Sequence, residues 1–388
     1  MKVDWLIVGA GLSGCVLAER IASQLGKGVL LIDRRDHIGG NAYDEYDRDG
    51  ILIHRYGPHI FHTNDLRVWN YLSRFTEWRE YEHKVLAVID GKKVPVPFNL
   101  NTLHALFSPR QAEHLQRKLV SRYGAESKVP ILKLREENDS ELRSLSDFIY
   151  ERVFYGYTLK QWGLTPEQLG PSVTGRVPVH ISRDDRYFQD RYQGMPKHGF
   201  TAMFRRMLRH PKIKILLNAD YRSLDGLVSA DRVVFTGPID QFFDHLHGHL
   251  PYRSIRFDFQ HHKLDRFQNV GTENYPNGEK HTRITEFKTI TGQQAYGTSV
   301  VLEYPELYRD GSNEPYYPIP SEENAELYAR YQREVERLKG TVLFVGRLAE
   351  YKYFNMDQCV ARALMTFEKH IAFQTDQSHD LAIATTVG

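Results

Sequence analysis

At 388 residues the chain exceeds one ordinary core, so one large domain with insertions, or two to three lobes around a cleft, is expected. Its 51 Lys and Arg against 49 Asp and Glu leave a formal net charge of +2 with no long run of either sign, which argues against nucleic acid as the main partner. Two cysteines, Cys15 and Cys359, are too few for a disulfide framework, and no apolar run reaches the roughly 18 residues of a membrane span, so a cytoplasmic protein without a membrane partner is expected.

The chain opens with DWLIVGAGLSGCVLAERIASQLGKGVLLIDRRDHIGGN, which predicts strand, turn, helix, strand. Gly9, Gly11 and Gly14 form G-x-G-x-x-G between an apolar run and a helical repeat. In that setting the first glycine makes the tight turn, the second lets the backbone approach a pyrophosphate, and the third lets helix and strand pack. Asp33 follows 19 positions after Gly14, where its carboxylate reaches both hydroxyls of a ribose. The LSGC ending at Cys15 has the look of a lipoprotein cleavage site, but Asp4, Gly9 and Gly11 interrupt any leader, and the strand reading uses every residue.

The glycine pair Gly39-Gly40, with Asn41 after it and Arg34 before it, resembles the continuation found in flavoprotein oxidases and reductases, which points to FAD. Two later stretches agree with such a fold. ADRVVFTGP ends a strand on Thr-Gly-Pro, and GTVLFVGRLAEYKYFNMDQ runs from a strand through Gly346-Arg347 to a helix starting near Met356. The fold class expected is α/β: a Rossmann-like FAD-binding domain with an inserted helical lobe and an antiparallel β-sheet lobe. The flavin domain is assigned to residues 1–80, 200–240 and 320–388, the helical lobe to 101–164, and the sheet lobe to 81–100, 165–199 and 241–319.

FYGYTLKQWG, residues 154–163, crowds four aromatics into ten positions. Phe154 and Tyr155 read as core of the helical lobe; Trp162, beside Gly163, reads as part of a mobile loop. His59 and His62 in GPHIFH, and the histidines of HLHGH at 245–249, lack the third ligand and fixed geometry that a metal site needs, so no metal is expected.

Taken in order, GAGLSG, IGGNAYD, RYGPHIFHT, PFNL, GYTLKQWG, GRVPV, RYFQDRYQGMPKHG, TRITE, EPYYP and GRLAEYKYFNMDQ resemble the bacterial UDP-galactopyranose mutases over essentially the whole length. The resemblance implies an FAD enzyme that interconverts UDP-galactopyranose and UDP-galactofuranose for cell-surface polysaccharide. It implies that reduced FAD is the active form, its N5 forming a covalent adduct with the anomeric carbon, and that the enzyme is a homodimer. Tyr157 and Trp162 then stack the uracil, and Arg176 and Arg283 hold the diphosphate with Tyr187, Tyr317 and Tyr353; Tyr187 serves equally well as packing. Arg347 and His59 sit beside the flavin with Ile60, and His83 contacts the sugar. Asn355 departs from the family, many of whose members carry aspartate there, which puts an acid-base role at that position in doubt. A related flavin oxidoreductase, a non-catalytic nucleotide-sugar binding flavoprotein, and a mutase for a neighbouring sugar such as UDP-N-acetylgalactosamine stay open.

Overall fold

The computed structural model describes residues 1–169, 175, 177–338 and 340–372. Five parallel strands form the sheet that organises the molecule, in the spatial order Ile213–Leu216, Val29–Ile32, Lys2–Val8, Ser229–Phe235, Val342–Phe344. Register is set by the apolar runs themselves: Leu6 pairs with Leu30 and Val233, and Val8 with Ile32 and Phe235. Alternation along the first strand sends Ile7 to one face and Leu6 to the other. Ile7 packs with Leu17 and Ile21 of the Leu12–Leu25 helix and with Val360 and Leu364 of the Met356–Thr366 helix. Each wholly buried aliphatic side chain of this kind contributes roughly 1.5–3 kcal/mol. Cys15 lies inside this core, its thiol donating to the Ala10 carbonyl at 3.1 Å.

A second sheet of seven strands has the order Tyr317–Pro318, Tyr252–His262, Thr298–Leu307, Arg283–Glu286, Thr272–Asn274, Val85–Ile89, Lys92–Val96. It is antiparallel except where Thr272–Asn274 runs parallel to Val85–Ile89, a departure from the wholly antiparallel expectation. The described residues of 165–199 also add no strand to it. Val179–His180 pairs with Lys128–Val129 in the helical region, and Tyr192–Pro196 forms a separate sheet with Phe61–Thr63 and Trp78–Glu80.

Helices Leu100–Leu106, Pro109–Tyr123, Ile131–Arg135 and Ser140–Ile149 close around Leu103, Leu119, Ile131, Leu134 and Ile149. Asn99 and Asp139 cap two of them by accepting backbone N–H groups. The last helix passes through a π-helical turn at Tyr150–Tyr155 into Gly156–Trp162. Such turns re-phase side chains and are frequent at functional sites. Gly163, at φ 70°, ends it in the left-handed conformation that glycine adopts without strain.

Candidate functional site

A cavity of about 380 Å³ opens along the carboxyl ends of the parallel strands, where open α/β sheets bind ligands. Its wall runs from Asp33, Arg34 and Gln241 to His59, Arg347 and Met356, with Gly9, Gly11, Gly39, Gly40, Asn41 and Gly346 between. A β-carbon on Gly9 would lie 2.0 Å from Thr236 Oγ1, and one on Gly14 1.9 Å from the Gly9 carbonyl oxygen, so both are demanded by the fold. On Gly11 it would meet only Gly40 Cα at 3.8 Å, leaving bare backbone toward the cavity. The Asp33 carboxylate accepts the N–H groups of Ala10 at 2.8 Å and Arg35 at 2.9 Å, which fixes it while each oxygen keeps a second lone pair. These residues fit a dinucleotide.

Of the residues expected at the cofactor, Gly14 makes the strand–helix contact and Ile60 packs partly buried against the core; neither lines this cavity. Arg34 is half exposed and ion-paired with Glu314. Arg35, which the motif reading passed over, is the more firmly built: it meets Glu314 at 2.9 Å, donates to Asn41, and stacks 4.2 Å over the Tyr56 ring.

A smaller, mainly apolar pocket of about 110 Å³ lies beside the helix Gly156–Trp162, lined among others by Val153, Tyr157, Thr158, Trp162, Tyr187 and Asn274. Aromatic rings connect it to the larger cavity. Trp162 packs edge-on to Tyr353 at 5.6 Å and against Tyr317 at 6.0 Å, Tyr317 and Tyr353 are 5.1 Å apart, and the Arg347 guanidinium sits 5.3 Å from the Tyr317 ring centre. Two expectations about FYGYTLKQWG are corrected here. Trp162 is the last residue of a helix and only 8% exposed, because the helix carries on to Gly163 and the Arg253 guanidinium binds its final carbonyls. Tyr155, expected in the core with Phe154, is 40% exposed; Phe154 is buried.

Arg283 lies within electrostatic reach of Tyr157 in the smaller pocket and of His59 in the larger cavity. Its Nε lies 2.7 Å from Glu303 Oε1, across paired strands. Burial works against its charge, but Glu303 and the phenols of Tyr157 and Tyr317 more than offset this, holding the guanidinium well above its ordinary range. Burial, then Tyr353, pushes the Tyr317 phenol up to about 12 against the opposing pull of Arg283 and Arg347, so it stays a proton donor at neutral pH. His59 is pushed down to about 3, first by burial and then by His54 and the two arginines. Its Nδ1 donates to the Gly57 carbonyl at 2.9 Å, which leaves the lone pair on Nε2.

His83 is buried, 3.1 Å from the Tyr81 hydroxyl through Nδ1, and its ring centre is 5.9 Å from that of Tyr187. His62 stacks on Phe188 at 3.6 Å and pairs with Asp190 at 3.0 Å. Asn355 caps the Met356–Thr366 helix, and the Gln358 side chain accepts its N–H at 2.9 Å. Arg176 lies outside the described residues. Sequence reasoning missed Glu303, Glu314 and Arg253; a glutamate inside the apolar run SVVLEY was the one signal available for Glu303.

A family model described as UDP-galactopyranose mutase matches residues 152–353, and an NAD(P)-binding Rossmann-like model matches residues 7–75. Similar curated proteins include a probable UDP-galactopyranose mutase of Klebsiella pneumoniae, 37% identical over 96% of both chains. The UDP-galactopyranose mutase of Mycoplasma pneumoniae is 35% identical over 95% of this chain and 96% of its own. A dTDP-fucopyranose mutase of Escherichia coli is 33% identical over 94% of this chain and 98% of its own. Among solved structures, a reduced UDP-galactopyranose mutase superposes with a TM-score of 0.75 at 16% identity, covering 96% of this chain and 95% of that one, a likeness of fold.

Proposed function

This chain belongs to the UDP-galactopyranose mutase family, and from that premise we propose that it interconverts UDP-galactopyranose and UDP-galactofuranose using reduced FAD, for galactofuranose-containing surface polysaccharide. The observation that carries the reading is the place of Arg283, with Tyr157 of the aromatic pocket and Tyr317 beside Arg347 of the large cavity both within its electrostatic reach. A base stacked by Tyr157 and Trp162 would leave its diphosphate at Arg283 and its sugar toward the cavity. When bound, reduced FAD supplies the nucleophile for the anomeric carbon.

The chain's own residues then have defined work. Gly9, Gly11, Gly39, Gly40, Asn41, Asp33 and Arg34 would hold the cofactor's nucleotide half, and His59, Gly346, Arg347 and Met356 its reactive half. Arg283, whose charge Glu303 maintains, would stabilise the diphosphate as it departs and keep it close enough to return, with Arg176 as its partner. Tyr317, protonated, would donate to a phosphate oxygen, with Tyr187 and Tyr353 nearby. Neutral His59 would offer Nε2 as an acceptor, and His83 and Asn355 would border the sugar. A homodimer in the cytoplasm belongs to the same reading.

The similarity to a dTDP-fucopyranose mutase favours one second reading, a mutase for a thymidine-linked sugar. Anaerobic incubation of the yellow protein with UDP-galactofuranose or dTDP-fucofuranose, oxidised or dithionite-reduced, tests both. Conversion of the uridine substrate in the reduced tube alone is expected. Turnover confined to the thymidine substrate would establish the second reading, and none with either would leave a binding protein.

A further inference from the structure

We propose that Asp240, His245 and His249 form a binding site for a divalent transition-metal ion of the Zn²⁺ class, on the rim of the large cavity. The spacing of HLHGH supplies too few ligands, but the fold brings Asp240 to the two histidines, with one ligand atom from each residue within 4.8 Å of the others. The site draws on none of the residues assigned to the mutase reaction, so it stands or falls independently of that reading.

Four observations converge on it. His245 Nδ1 is closed off from solvent, makes no hydrogen bond, and faces Asp240 Oδ2 at 3.3 Å. Metal–ligand bonds of about 2.0–2.2 Å put neighbouring tetrahedral ligand atoms about 3.3 Å apart, so the two atoms already have the spacing a shared ion imposes. The Asp240 carboxylate is 2% exposed and fixed from behind, accepting the Leu250 N–H at 3.0 Å and the Tyr252 hydroxyl at 3.2 Å. On the far side of the His245 ring, Nε2 faces Asp310 Oδ2 at 3.8 Å. On metal binding Asp310 would have to close from this distance to a hydrogen bond, the usual means of fixing a ligating histidine's tautomer and raising its basicity. The His249 ring stacks 3.8 Å from that of His245 and is exposed, free to close the third bond.

Two imidazoles and one carboxylate suit Zn²⁺, with a fourth position left for water. Gln241 and His245 of the 239–250 segment line the cavity together with Asp310, so the ion would brace that segment where it forms part of the wall. The other cluster of suitable residues among those described, Asp47, Asp49 and His261, is accounted for by hydrogen bonds: Ser299 Oγ donates to Asp47 and meets His261 Nδ1 at 3.1 Å.

The test is titration of untagged, chelator-stripped protein with Zn²⁺ alone, in competition with a chromogenic chelator, with bound metal counted after gel filtration. One ion per chain with micromolar or tighter affinity is expected. His249→Ala, a change at an exposed side chain, and Asp310→Asn should each weaken binding by about tenfold or more. His261→Ala should leave it unchanged. Absence of stoichiometric uptake, less than tenfold weakening in His249→Ala, or loss that follows His261 instead would overturn the proposal.

Discussion

Arg283 and Glu303 face each other from adjacent antiparallel strands, their charged atoms 2.7 Å apart, and the Glu303 side chain is shut off from solvent. Removing one partner of such a pair leaves an uncompensated buried charge, at a cost of about 3–5 kcal/mol. Arg283→Ala is therefore expected to lower thermal stability as well as abolish most turnover. Arg283→Met with Glu303→Leu should restore the melting temperature without restoring turnover, separating the structural debt from the chemical role. Calorimetry beside an activity assay decides it; a double variant that regains turnover would remove the arginine from the mechanism.

The glycines of the first turn should separate in the same way. With only Gly40 Cα in reach of an added methyl, Gly11→Ala is expected to fold and melt like the parent yet bind FAD at least about tenfold more weakly, because on the proposed reading the methyl would stand where the pyrophosphate approaches. Gly14→Ala, whose methyl would collide with the Gly9 carbonyl, is expected to lose stability with or without cofactor. Circular dichroism melts of apoprotein and flavin titration check both. Equal melting temperatures for the two variants would contradict the assignment.

Buried histidines should weaken the fold toward acid. Burial pushes His54 down to about 4, and His83 to about 3 with help from Arg283 and His62. In the unfolded chain both titrate near about 6.5. Between those values the unfolded state binds more protons, so stability is whole above about 6.5 and falls as the pH drops toward the folded-state values. Each ring contributes up to about 1.4 kcal/mol per pH unit in that window. Denaturant melts at a series of pH values from neutral to 5 should show the decline, and His83→Leu should make it shallower. An unchanged slope in that variant would mean that His83 takes up its proton as readily in the folded protein as in the unfolded chain.

Local features were legible and cross-strand ones were not, for a physical reason. The packing of Gly14 on the Gly9 carbonyl and the bonds of the Asp33 carboxylate to Ala10 and Arg35 lie within one strand–helix–strand unit, so spacing alone announces them. The Arg283–Glu303 pair depends on the register of two strands 20 positions apart in the chain, which no local pattern sets. The parallel pairing of Thr272–Asn274 with Val85–Ile89 is invisible for the same reason. Trp162 was misplaced because Gly163 signalled the end of a helix, while the arginine that buries that end lies 90 positions downstream of Gly163. The split between Phe154 and Tyr155 turns on the phase of a π-helical turn, which a 3.6-residue repeat does not carry.

Arg253 is the positioning residue that this geometry singles out. It is 5% exposed, its Nε and Nη2 donate to the Gln161 and Lys160 carbonyls at 2.9 Å each, and its backbone pairs with Tyr317 across neighbouring strands. One side chain thus ties the helix end bearing Trp162 to the strand bearing Tyr317. Arg253→Met keeps the length but leaves two helix carbonyls without donors, which costs about 1–3 kcal/mol for each group that stays buried. The aromatic pocket should loosen, so KM for the nucleotide sugar is expected to rise about tenfold, a loss of about 1.4 kcal/mol in binding, while the flavin spectrum and its affinity hold. Arg253→Lys, able to reach one carbonyl but not both in the same plane, should recover part of the loss. Steady-state kinetics beside thermal melts check this: a fall in melting temperature with KM unmoved would make Arg253 a fold residue and nothing more.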